Sequence, residues 1–157
     1  MRDLSGPKGF FRLNIIEEKD GRKMVVGDSG YLPNMITNSG AQKYIVEKMT
    51  GGGMAVAYAG MGSAGTVAST DSNISNPVAV NRNSFAVVGS VASSRTLRFT
   101  GSVQSNVYPA TTIANVGLFA DSATTNATGT MFCGNTFASS ALATNQAVNL
   151  TYDIQFP

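Results

Sequence analysis

From Val148 to Phe156 the chain alternates without exception: Val148, Leu150, Tyr152, Ile154 and Phe156 fall on one side, and Asn149, Thr151, Asp153 and Gln155 on the other. A period of two over this length fits a strand with one face buried, so residues 147–156 are expected to close an antiparallel sheet, with the polar face turned to solvent or to another subunit. Such a strand needs neighbours, and the preceding sequence supplies them. Residues 84–92, 94–103, 111–120 and 130–138 are short β-prone runs separated by Ser, Thr, Asn, Ala and Gly, and residues 54–61 are apolar on both faces, as in a central strand.

Charge divides the molecule. Eight of the eleven Lys and Arg residues and six of the nine acids lie in residues 1–48. The rest depends on Ser, Thr and Asn for solubility, a surface suited to packing inside a large assembly. Residues 1–9, with Gly6, Pro7 and Gly9, read as an N-terminal arm without regular structure. Residues 10–26 read as a hairpin: Phe11, Leu13 and Ile15 share one face, and Phe10, Arg12, Asn14 and Ile16 the other. Asp20-Gly21 supplies its turn. The one helix expected spans residues 38–50, capped by Thr37, Asn38 or Ser39 and stopped at Gly51-Gly52-Gly53. Together these features predict an all-β antiparallel sandwich or jelly roll, a single domain over residues 10–157 with its β-rich body at 54–157.

The enzymatic constellations fail in turn. With no histidine there is no Ser/His/Asp or Cys/His site and no imidazole for zinc. The lone Cys133 lies in Met131-Phe132-Cys133-Gly134 and reads as a small buried hydrophobe. Gly60-x-Gly62-x-x-Gly65 matches a dinucleotide fingerprint only in its spacing, because no helical period follows it. Asp28, Asn34 and Asn38 could ligate calcium, but their spacing follows no known loop. Tyr58, Tyr108 and Tyr152 are the candidate platforms for a carbohydrate, although sugar sites favour the broader indole and the chain has no Trp. A net charge of +2 with scattered basic residues gives no nucleic-acid patch, and no run reaches the ~20 apolar residues of a membrane span. Residues 1–7 are polar and lack the apolar centre of a signal peptide. The expectation is a non-enzymatic protein without cofactor or metal, made in the cytoplasm.

A junction separates the charged segment from the body, Tyr31-Leu32-Pro33-Asn34-Met35-Ile36-Thr37-Asn38-Ser39-Gly40, followed later by Tyr58-Ala59-Gly60-Met61-Gly62. With Val116-Gly117-Leu118-Phe119, Thr130-Met131-Phe132 and the closing strand, it resembles the small β-rich virion structural proteins of tailed bacteriophages, from about Phe10 onward. Where that group often carries an acid before its Gly-Leu-Phe element, this chain has Asn115. The resemblance implies a virion component, with a capsid decoration or cement protein as the leading reading. That protein would be a trimer on the head surface, bound to the major capsid protein. Its attachment contacts would be Arg2, Lys8, Phe10 and Arg12, from the arm and first hairpin. The alternatives are a tail connector or fibre-attachment protein, and a carbohydrate- or receptor-binding module.

Overall fold

The chain turns back on itself first at Asp20 and Gly21, whose positive φ angles (53° and 71°) make the tight two-residue turn that joins β1 (Lys8–Lys19) to β2 (Arg22–Asp28). The computed structural model describes residues 6–78, 83–84, 86–91, 95–103, 111–120 and 130–156. Further along lie β3 (Leu32–Ile36), a helix over residues 38–49, β4 (Tyr58–Gly62), β5 (Asn83–Ser84), β6 (Ala86–Val91), β7 (Thr96–Val103), β8 (Thr112–Phe119), β9 (Cys133–Ala141) and β10 (Gln146–Gln155). The strand order is β5-β4-β8-β9-β3-β1-β10-β7-β6, with β2 attached to β1, and every described pairing is antiparallel. The fold is a mainly-β single domain whose sheet is curled into a half-barrel.

β3 is the hinge of that curl. Its first residues pair with β1 (Phe11 opposite Leu32, Gly9 opposite Asn34) and its last with β9 (Ile36 opposite Cys133). The core lies inside the curl and draws on both halves: Phe11, Leu13, Leu150 and Tyr152 from one, Met61, Ile113, Val116 and Leu118 from the other. A second cluster, Ile74, Phe119 and Met131, covers the outside of the β4-β8-β9 half beneath the stretch 63–78. Close approach there depends on Gly117, where a Cβ would lie 2.6 Å from Met131 Sδ.

Several boundaries differ from the sequence expectation. The strand begins at Lys8, inside the stretch 1–9 read as an arm, because β10 continues opposite it: Lys8 faces Gln155 and Gly9 faces Ile154. Gly9 is not a breaker here. It makes room for Asn34, whose Nδ2 lies 2.3 Å from where a Cβ would stand. Residues 54–57 are not in a strand. After the Gly51–Gly53 turn the chain runs back under the helix, with the Met54 N–H donating to the Lys43 carbonyl at 3.0 Å, and pairing starts only at Tyr58.

In β10 the residues Val148, Leu150, Tyr152 and Ile154 are buried as their alternation requires, but Phe156 lies beyond the strand end and is exposed. Asp153, on the polar side, is buried, because Arg98 of the neighbouring β7 covers it. Arg95 precedes β7 in a left-handed turn (φ 51°), so it does not share a strand with Arg98. The helix forms where expected. Thr37 Oγ1 accepts from the Gly40 N–H (2.9 Å) and donates to the Met131 carbonyl (2.5 Å), while Tyr44 donates to the Thr130 carbonyl (2.6 Å) and accepts from the Ala120 N–H (2.8 Å). Residues 121–129, whose Ser, Ala, Thr and Asn content suggests an exposed loop tip, lie outside the described residues.

Candidate interaction surface

β1 places Lys8, Phe10 and Arg12 on the outer face of the sheet, two residues apart, opposite the buried row Phe11, Leu13 and Ile15. The candidate attachment residues Phe10 and Arg12 are therefore brought together, with Lys8 one step further along the same face. Arg2 lies outside the described residues.

The geometry around Arg12 is set by the turn after β2. The Ser29 N–H donates to the Leu13 carbonyl and Ser29 Oγ accepts from the Leu13 N–H, both at 2.9 Å, which fastens this turn to the middle of β1. Asp28 accepts from the Gly30 N–H (2.9 Å), a local bond that Asp side chains favour in turns. Asp28 then meets Arg12 in a two-point pair, Nε to Oδ1 at 3.0 Å and Nη2 to Oδ2 at 2.5 Å. The chain next delivers Tyr31, with the Arg12 guanidinium carbon 5.5 Å from the centre of its ring. Hydrogen bonds from Arg12, and next from the Gly30 N–H, hold the Asp28 carboxyl down at about 2. The same contact with Asp28 raises the Arg12 pKa.

A second pair lies beside the first. Phe10 faces Asp153 across β1 and β10, and Asp153 faces Arg98 across β10 and β7. Arg98 grips Asp153 through Nε and Nη2, both at 2.6 Å, and its pKa is raised, chiefly by that bond. The result is a pleated surface on which one exposed tyrosine and one phenylalanine are set among two guanidinium groups, each already held by a carboxylate. Next to it, β2 presents Met24, Val25 and Val26 at 50%, 61% and 47% exposure, an apolar run on a strand that among the described residues pairs only with β1. Sequence reasoning missed Asp28, Tyr31, Arg98 and Asp153 as parts of this surface. The Asp-Ser-Gly turn was a signal for the first two; the Arg98–Asp153 pair depends on strand register and left no local trace.

Other candidates separate. Asp28 is engaged by Arg12 on the outer face, whereas the Asn34 amide is buried against Gly9 and Asn38 is exposed at the helix start. Among the described residues no three His, Cys, Asp or Glu side chains gather. Cys133 is fully buried, as expected, and burial pushes its thiol up to about 12 despite the Asn34 and Tyr152 side chains beside it. Tyr152 is fully buried and cannot act as a sugar platform; Tyr58 packs against the second cluster, and Tyr108 lies outside the described residues. No helix among the described residues is long and apolar enough to cross a membrane. No known protein family, curated protein or solved structure matches the chain.

Proposed function

We propose that this chain is a non-enzymatic structural protein of a tailed-bacteriophage particle, and that it acts as a capsid decoration or cement protein. In this reading it assembles as a trimer on the head surface, binds the major capsid protein, is made in the host cytoplasm, and engages neither nucleic acid nor membrane. The two halves of the curled sheet would serve as the layers of a sandwich of jelly-roll type. The observation that carries the reading is the outer surface just described. Tyr and Arg dominate the energetics of protein–protein contacts, and here Tyr31, Arg12 and Arg98 stand preorganised by ion pairs beside the exposed apolar run of β2. The resemblance of residues 31–40 and 116–119 to phage virion proteins supplies the setting.

The mechanism is adhesion. Each guanidinium arrives already neutralised and fixed, so docking leaves little side-chain freedom to lose. Copy number in purified virions tests the reading. A ratio to the major capsid protein near one supports the head-surface role, whereas a few to a dozen copies per particle would replace it with the tail connector or fibre-attachment role.

A further inference from the structure

β2 and β3 occupy successive positions along the same side of β1, since β2 pairs with residues 14–19 of β1 and β3 with residues 9–11. On the far side of β3 lies β9, joined to it through residues 133–134 alone. Beyond that point the two lines of strand part. Among the described residues, 135–141 of β9 pair only with β8, and β2 pairs only with β1. Between the two unpaired edges opens a groove of about 500 Å³. Leu13, Ile15, Leu32 and Phe137 form its apolar floor, and Ala138 and Ser140 lie on the β9 side.

We infer that this groove is an acceptor site for one extended β-strand from a partner protein, inserted between β2 and β9 so that it bridges the open side of the half-barrel. The occupant's chemistry follows from the groove. Two facing rows of unpaired main-chain groups select an extended backbone, and the floor accepts apolar side chains at every second position. The occupant must have both of its own edges free. Every described strand of this chain already pairs with a neighbour, so the occupant is a free extended segment rather than a strand of a second folded copy. Among the described residues that line the groove Asp28 is the one charged side chain, and Arg12 already holds it. The complementary strand is therefore uncharged. This inference goes beyond the particle reading, since such a groove takes a strand whichever assembly supplies it.

The test is a displayed library of linear peptides of about seven residues, panned against the full chain and against Ala138→Trp and Ser140→Trp variants whose fold is checked by circular dichroism. We expect uncharged sequences with apolar residues at alternate positions. The corresponding synthetic peptides should bind the wild-type chain and lose about tenfold or more in affinity on both variants. They should also slow amide exchange in residues 22–28 and 135–141 together. The exchange measurement uses the wild-type chain, so it stands even where a variant misfolds. Absence of enrichment, helical spacing in the selected sequences, binding kept by folded variants, or protection of a single edge would overturn the inference.

Discussion

The two halves of the sheet share one core but treat their outer faces differently. In the β4-β8-β9 half, β8 is buried on both sides, since Val116 and Leu118 enter the shared core while Phe119 packs with Met131 and Ile74 beneath the stretch 63–78. Asn115 fastens that cover by donating from Nδ2 to the Ala64 carbonyl (2.7 Å) and the Ser75 carbonyl (3.3 Å). In the β1-β10-β7 half the outer face stays open, and it is ordered by ion pairs rather than by burial. The residues of the first half are held in place by the fold, whereas Phe10, Arg12 and Tyr31 can be altered with little loss to it; Arg98 is the exception on the open face, because it pairs the buried Asp153. Function is therefore sought on the open half.

Phe119→Ala should cost about 3–5 kcal/mol, because the ring is fully buried and its loss leaves a cavity under the cover; a chemical-denaturation midpoint that does not move would break the contrast between the halves. Asn115→Ala should cost about 0.5–1.5 kcal/mol by removing the side-chain bonds that fasten the cover, and should speed amide exchange selectively in residues 63–78. Thr37→Val removes the helix cap and the bond to Met131, for about 0.5–2 kcal/mol, with exchange quickening over residues 38–49.

The smallest effect belongs to the open half. Asp28 titrates at about 2 in the fold against an ordinary 3.8, so its contribution is present above pH 3.8 and is lost as the pH falls toward 2. Because the pair is exposed, the change in stability should be slight. The Asp28 carboxyl resonance should nevertheless titrate nearer its ordinary value in Arg12→Ala, and an unchanged titration in that variant would show that Arg12 does not hold it.

Much of this architecture was legible because it is local. The Asp20-Gly21 turn, the Thr37 cap and the alternation of β10 each follow from neighbouring residues. What could not be read depends on partners distant in sequence. Gly9 looks like a breaker until Asn34 is found against it, and Asp153 looks solvated until the β7 register brings Arg98 over it. For the same reason the curl of the sheet escaped the expectation of a sandwich, since β3 changes partners within five residues and nothing in Leu32–Ile36 announces it. The candidate surface was half visible, in Phe10 and Arg12.

The most direct measurement is the binding of wild-type chain and of a Phe10→Ala, Arg12→Ala, Tyr31→Ala triple variant to phage heads stripped of this protein. The open-face account predicts that the variant keeps its circular dichroism and denaturation midpoint while losing about a hundredfold or more in affinity. A folded variant that binds as well as the wild-type chain would contradict it and move the search for the attachment surface elsewhere on the molecule.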